Sequence, residues 1–325
     1  LSFKLISPDR EQWNSFVDNN MHSSVFQRHE IADMYNKTKN MEGIRIAVSD
    51  DNEILACMAV KLESKGFLKR FTSLSIIENA PLYQDSEKGR EAAEFLIKHY
   101  NKSTTALYTN VKIDNDLFLE KIYESEGYNK SECLNYEIGL EKNTEAVFKK
   151  IHKSRRKNIK RAEKKGVKII EAGKDSLPQF YGLLRETYSK LQIQIPDISY
   201  FNAAFSLMPG NVKLFFAIYQ GNLIGARLIL LYKKKIFDWF AGASSKHLGL
   251  FPNDALVWHV LEYGCKNSYE LFDFGGAGIP DEEYGVREFK KRFGGQLINY
   301  NSFKKIHKLF ITKLGSFILS ISKKK

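Results

Sequence analysis

The feature that most constrains this chain is that one structural unit occurs in it twice. Ile44 to Val48, a turn at Asp50-Asp51-Asn52, and Ile54 to Leu62 read as a β-hairpin. Val212 to Tyr219, a turn at Gly221-Asn222, and Leu223 to Leu231 read as the same hairpin, about 170 residues further on. Each hairpin leads into another strand (Lys69 to Ile77; Ile236 to Ala243) and then a helix (Glu87 to Tyr100; Asp254 to Lys266). A strand follows (Thr105 to Val111; Leu271 to Phe274), then a second helix (Asp116 to Glu126; Val286 to Phe293). Those helices stop at Gly127 and Gly294, as a left-handed cap requires. A closing strand completes each copy, near Cys133 to Ile138 and Gln296 to Tyr300. This order predicts an α/β unit with a mixed sheet, built twice. Leu177 to Lys190 and Asp197 to Leu207 read as the opening helices of the second copy, with Phe180, Leu183, Leu184, Tyr188 and Leu191 at helical spacing.

A length of 325 residues agrees with two cores, because single cores stop growing near roughly 250–300 residues. The linear order divides the chain into a first domain over 1–147, a basic connecting helix over 148–168, a second domain over 169–303 and a tail over 304–325. The formal net charge is +12, which favours polyanionic partners. Cys57, Cys133 and Cys265 are far apart and form no C-x-x-C pair, so neither a disulfide framework nor a zinc knuckle is expected. The 7 histidines are scattered and no H-E-x-x-H or G-x-S-x-G occurs, so no metal is expected. The opening LSFKLISPDREQW has no leader pattern, and no apolar run reaches the ~18 residues of a membrane span. A cytoplasmic location is the expectation, with the inner membrane face as an alternative.

Charge concentrates in Lys149 to Lys168, KKIHKSRRKNIKRAEKKGVK, where Glu163 is the only acid. Phe148, Ile151, Ile159 and Ala162 fall near one helical face and Gly166 ends the helix. Lys153, Arg155, Arg156, Lys157, Lys160 and Arg161 are therefore candidates for neutralising phosphates, with a solvated linker helix as the alternative. No aromatic residue interleaves with them, which argues against base stacking.

The chemistry points to Leu271–Gly295, LFDFGGAGIPDEEYGVREFKKRFGG. An apolar strand runs into Gly275, Gly276 and Gly278, and a strand ending in glycines admits a ligand or another backbone. The next helix carries Lys290 and Lys291 and ends at Gly294 and Gly295. This segment resembles the signature of the FemABX-like proteins, a strand, a glycine-rich loop and a G-V-x-x-F-K-x-x-F helix. The repeat likewise resembles their two GNAT-type domains, and the absence of a heptad run resembles the armless form. The resemblance implies an acyl- or aminoacyltransferase that moves an activated acyl unit onto an amine of a cell-wall or glycan-type acceptor. The donor it implies is aminoacyl-tRNA, so tRNA is an expected partner and no cofactor is expected.

That chemistry needs a neutral amine, a polarised carbonyl and a stabilised leaving oxygen. Lys290 stands at the family's F-K position and is expected to supply positive charge to the oxyanion. Asp273 either orients an amine or bonds the backbone of the glycine turn. Gly275, Gly276 and Gly278 are expected to line the acyl channel, Tyr284 and Trp239 to pack against an acceptor, and Lys291 to face it. Many members that use nucleotide-linked precursors carry an arginine before the second copy's opening helix. Here Gln194-Ile195-Pro196-Asp197 has none, which weighs against a UDP-linked acceptor.

Ordinary GNAT enzymes hold the CoA pyrophosphate with an R/Q-x-x-G-x-G/A loop at a helix N-terminus. The second copy has Lys246-His247-Leu248-Gly249-Leu250-Phe251, with Phe251 where a small residue is needed and Asp254 at the helix start. The first has Pro81-Leu82-Tyr83-Gln84-Asp85-Ser86. Neither resembles a sound CoA loop, so an acyl-CoA donor is the second reading and a non-catalytic RNA- or glycan-binding protein the third. The tail, Lys304 to Lys325, has Ile306, Leu309, Phe310, Leu314, Phe317 and Ile321 on one stripe between lysines. It reads as an amphipathic helix, packed on the second domain or lying on a membrane surface.

Overall fold

The computed structural model describes residues 3–51, 53–64, 73–282 and 285–308. The chain forms two compact units. One comprises the chain up to Glu132 together with the segment from Tyr300 onward, and the other is Cys133–Asn299.

The first unit opens with β1 (Lys4–Ile6), α1 (Arg10–Asn19) and α2 (His29–Asn36). Its hairpin is β2 (Met41–Asp50) with β3 (Glu53–Ser64), followed by β4 (Ser73–Ile77) and a short β5 (Leu82–Tyr83). Then come α3 (Glu87–Ser103), β6 (Tyr108–Ile113) and α4 (Leu117–Ser125). Asp9, Ser86 and Asp116 cap α1, α3 and α4 through side-chain oxygens, which fixes where each helix starts. Strands β1 to β4 pair antiparallel in order, and β4 pairs parallel with β6. Leu96 and Ile97 of α3, Val60 of β3 and Val111 of β6 meet in the core beneath the crossover.

The second unit repeats the scheme. Its elements are β7 (Asn129–Gly139), α5 (Thr144–Lys150), α6 (Lys153–Lys164), β8 (Lys168–Ala172), α7 (Leu177–Lys190) and α8 (Ile198–Leu207). The hairpin β9 (Val212–Tyr219) and β10 (Asn222–Tyr232) leads to β11 (Lys235–Ala243), α9 (Pro252–Lys266), β12 (Leu271–Asp273) and α10 (Gly285–Lys291); β13 (Gln296–Ile306) follows, its part from Tyr300 belonging to the first unit. Strands β8 to β11 pair antiparallel in order, and β11 pairs parallel with β12. Leu256, Val257, Val260 and Leu261 of α9 lie fully buried with Phe215, Ile229, Ile236 and Phe272 of the sheet.

The closing strands depart from the linear reading. The strand after α4 pairs with β12 of the second unit, in the register Leu271↔Gly139, Phe272↔Ile138 and Asp273↔Glu137. The strand after α10 pairs with β6 of the first unit, from Asn301↔Ile113 to Ile306↔Tyr108. The expected boundaries at 147 and 303 therefore move to 132 and 299. Alternation of Leu134, Tyr136 and Ile138 specifies a buried face but not the sheet that buries it. The segment expected as a connecting helix is instead a wall of the second unit, with Val147, Ile151, Ile159 and Ala162 all in its core. It is also two helices, α5 and α6, broken at Ile151-His152. Residues 304–306, expected to begin the tail helix, are strand. The rest of the tail, from Leu309, lies outside the described residues.

Gly294 and Gly166 separate two costs of replacing glycine. Both have positive φ, 83° and 86°. A Cβ at Gly294 would lie 2.5 Å from the Lys150 carbonyl oxygen, whereas Gly166 has nothing within 4 Å. Gly166→Ala is expected to destabilise by about 1 kcal/mol, and Gly294→Ala by at least about 2 kcal/mol because backbone must also move. Urea unfolding checks this. Equal midpoints for the two variants would show that the Lys150 backbone yields.

Candidate active site

The site is set by how briefly β11 and β12 stay together. The pair runs Lys235↔Leu271, Ile236↔Phe272, Phe237↔Asp273 and ends. Strand β11 continues to Ala243 while the other chain turns through Phe274, Gly275 and Gly276. Where parallel strands part at their carboxyl ends, backbone groups lose ladder partners and a crevice opens, a common ligand position in α/β sheets.

Side chains take over the abandoned backbone groups. The Lys290 ammonium donates to Phe274 O at 2.6 Å and to Gly276 O. Arg287, one turn earlier on α10, donates through Nε to Ala277 O at 2.8 Å and through Nη2 to Ile279 O. The Gly275 N–H donates to Asp273 Oδ1 at 2.8 Å. Gly275 has φ 86°, and a Cβ there would lie 3.2 Å from Asp238 O, so the turn needs glycine. Phe274 and Phe293, both buried, and half-buried Phe289 pack beside Lys290, whose Nζ lies 5.5 Å from the Phe274 ring centroid.

Burial pushes the Lys290 amine down to about 8, with Asp238 acting upward and Arg227 downward on it. An ammonium has three N–H bonds, so the two carbonyls leave one to meet a ligand oxygen. That is a cation in a partly dry crevice, held by acceptors already in place, and it suits an oxyanion developing on an acyl carbon.

Asp273 is committed elsewhere. Its carboxylate also accepts from Asn135 Nδ2 at 2.6 Å and pairs with Lys235 Nζ at 2.8 Å. It holds the glycine turn through the Gly275 N–H. Gly275 and Gly276 are half-buried at the parting point, and Gly278 is exposed, its carbonyl taken by the Leu134 N–H at 2.8 Å. Lys291 is exposed, 4.0 Å from Glu288. Trp239 is not part of this site. A β-bulge between Leu228 and Ile229 shifts the register so that Phe240 faces Leu228 and Asp238 faces Ile229. Trp239 and Phe240 then pack with Tyr200 and Phe201 of α8, on the face away from α9. Tyr284 lies outside the described residues.

Helix α6 is two-sided. Arg155 turns inward, its Nη1 3.1 Å from Asp254 Oδ1 and its guanidinium 4.6 Å from the Phe289 ring centroid. Asn158 donates to the same carboxylate oxygen at 3.2 Å. Asp254 is buried in the first turn of α9, and burial raises its carboxyl against the pull of Arg155. The helix N-terminus that would meet a CoA pyrophosphate is thus filled by a carboxylate of the chain itself, behind Phe251, whose φ is 59°. Lys153, Lys157, Lys160 and Arg161 are exposed and Arg156 half-exposed, none with an ion-pair partner among the described residues.

Arg287, Arg227 and Asp238 were missed from sequence. The signals were there in part: Arg287 lies three residues before Lys290 on one helical face, and Arg227 interrupts the apolar strand LIGARLILL, where a buried arginine requires a partner.

The first unit has an open cleft of about 1420 Å³, lined among others by Phe16, Tyr83, Phe118, Asn20 and Asn79. Its charged lining is Glu53, Asp85, Asp114 and Asp116 against Arg90. Among the described residues no helix is long and apolar enough to cross a membrane, and no cluster of His, Cys, Asp and Glu is placed to hold a metal.

The fold is that of tandem GNAT proteins. Residues 153–291 match the family model described as acetyltransferase (GNAT) domain. Across 96% of this chain and 99% of its own, the crystal structure of FemX superposes with a TM-score of 0.72 at 16% identity. L-PGS from Bacillus licheniformis gives 0.59 at 12% identity, over 92% and 93% of the two chains. A tandem GNAT protein from the clavulanic acid biosynthesis pathway gives 0.56 at 9%, over 94% and 98%. These establish the tandem GNAT fold. No curated protein sequence matches the chain.

A ¹⁵N-lysine NMR titration tests the central group. Lys290 should carry its charge below about pH 8 and lose it above, and so stand apart as the early-titrating lysine. Lys290→Arg should remove the early-titrating resonance. If no lysine resonance titrates near pH 8, the amine is solvated and the site's electrostatics are misassigned.

Proposed function

We propose that the chain moves an aminoacyl unit from aminoacyl-tRNA onto an amine of a cell-wall or glycan-type acceptor. The observation that carries this reading is the half-buried Lys290 ammonium fixed at the parting of β11 and β12. In the reaction the amine nitrogen bonds the acyl carbon and the ester C–O bond breaks. The amine's proton ends on the departing hydroxyl. Lys290 stabilises the oxyanion between those events.

Two features favour an ester of RNA over an acyl-CoA as donor. Asp254 fills the α9 N-terminus that a pyrophosphate would need. The exposed face of α6 offers Lys153, Lys157, Lys160 and Arg161 to a phosphate backbone. A cytoplasmic location goes with that donor. An acyl-CoA donor is the second reading, favoured by the family match over 153–291.

Native mass spectrometry with mixed aminoacyl-tRNA and acyl-CoA pools separates the two. A retained tRNA complex should weaken steeply with salt. Changing Lys153, Lys157, Lys160 and Arg161 to Gln should make the salt slope shallower by about 0.7–0.9 for each phosphate no longer neutralised. Arg155→Gln should lower stability instead. A retained CoA species without tRNA would turn the assignment to acyl-CoA transfer. Lys290→Ala is expected to reduce transfer by about 10²–10³-fold and also to lower Tm, because the Phe274 and Gly276 carbonyls lose their donor.

A further inference from the structure

We propose that Asp238 recognises the α-ammonium group of an aminoacyl donor and thereby selects aminoacyl over plain acyl esters. The proposal rests on the aminoacyl-transfer reading and names the donor chemistry of the same crevice. Asp238 is the first residue of β11 beyond its last pairing with β12. The hairpin register sets it opposite Ile229, on the face that carries Arg227 and packs against α9. Its neighbours across the crevice are the glycine turn and Lys290.

Asp238 and Arg227 form an ion pair, Oδ2 to Nη1, with side chains only 9% and 4% exposed. Taking such a pair out of water is costly unless every remaining polar atom is satisfied. Here they are not: Asp238 Oδ1 and Arg227 Nε are buried with no hydrogen-bond partner among the described residues. An unmet buried acceptor is destabilising, and folded proteins retain few without a reason. The other buried carboxylates of the unit, Asp254 and Asp273, are each held by several donors. Asp238 alone among the three keeps an oxygen in reserve.

A carboxylate oxygen only accepts, so its ligand must be a donor. Two amines enter the proposed reaction, and electrostatics chooses between them. A carboxylate beside an amine favours its charged form. That would disarm the attacking amine, which needs its lone pair. It suits the donor's α-amino group, a spectator that titrates at roughly 7.7–8.0 when free and so needs a neighbour to fix its charge. In an aminoacyl ester this group is one carbon from the carbonyl. Lys290 on the carbonyl oxygen and Asp238 on the ammonium together match that fragment, with opposite charges in the order the fragment presents them. Arg227 holds Asp238 by its other oxygen and balances its charge when the crevice is empty of donor.

Binding of a non-hydrolysable alanyl-adenosine amide and of its N-acetyl derivative, measured by calorimetry, tests this. The wild type should bind the free-amine form at least about 10²-fold more tightly, because a buried polar group is left unpaired by the capped form. Asp238→Asn should bring the two within about 3-fold of each other, leaving the N-acetyl form's affinity unchanged. The double variant Arg227→Gln/Asp238→Asn keeps a neutral hydrogen-bonded pair and should show the same loss if the single variant folds poorly. A preference that survives in both variants, or wild type that binds the two forms equally, overturns the proposal while leaving aminoacyl transfer standing. Wild type that binds neither form overturns the aminoacyl reading and the proposal with it.

Discussion

Much of the second unit follows from the need to satisfy backbone that β11 and β12 release when they part. After Phe237↔Asp273 the ladder ends, and the carbonyls of Phe274, Gly276, Ala277 and Ile279 have to find donors. They find them on one face of α10, where Lys290 and Arg287 stand three residues apart. A loop with glycines at 275, 276 and 278 would be costly to order by itself. Here cations bolted to a short helix order it from outside, and Asp273 ties its first N–H. The same contacts that hold the loop carry a positive charge into a half-buried crevice, so the structural solution and the electrostatic one are the same atoms.

Charge elsewhere in the unit divides by depth. Arg155, Asn158, Ile159 and Ala162 follow the i, i+3, i+4, i+7 spacing of a buried helix face, and that face binds Asp254 and enters the core. Lys153, Lys157, Lys160 and Arg161 fall outside it and face solvent. Exposed charges act over about a Debye length and are screened by salt, so they suit capture of a polyanion. Buried ones act over one contact and are screened little, so they suit discrimination at the reacting group. A single basic run in the sequence thus performs two tasks, and Arg155 belongs to the one that composition does not reveal.

The repeat, the order of elements and the F-D-F-G-G to F-K segment were legible because each is written locally, in turn residues, periodicity and glycine placement. The exchange of closing strands was not, because alternation fixes which face of a strand is buried and leaves its partner open. The helix Leu177–Lys190 appears in the structure with the bounds its periodicity predicts. Trp239 was misplaced for the opposite reason. Trp239 follows Asp238 and so points to the other face, and the bulge brings Phe240 to that face as well, with no turn residue to mark it. Asp238 and Arg227 share a face because Asp238 pairs with Ile229, two residues from Arg227, and that cross-strand register is not marked by either strand's own pattern.

The first unit supplies an internal comparison for what the second does. Its parallel pair β4–β6 also parts, after Ile77↔Val111, and the next residue of β4 is again acidic. Glu78 pairs with Lys61 of β3 at 2.7 Å, as Asp238 pairs with Arg227 of β10. The Glu78 side chain is 35% exposed, however, and β6 runs on through Lys112 and Ile113 to Asp114 with no glycine turn. No lysine amine of that unit donates to the carbonyls just beyond its parting point among the described residues. An acid–base pair beside parting strands is therefore common to both copies and belongs to the fold. What distinguishes the second copy is the glycine turn, the α10 cations that fix it, and the depth that leaves Asp238 Oδ1 without a partner. The two copies share the fold, and these three features are what the second adds to it.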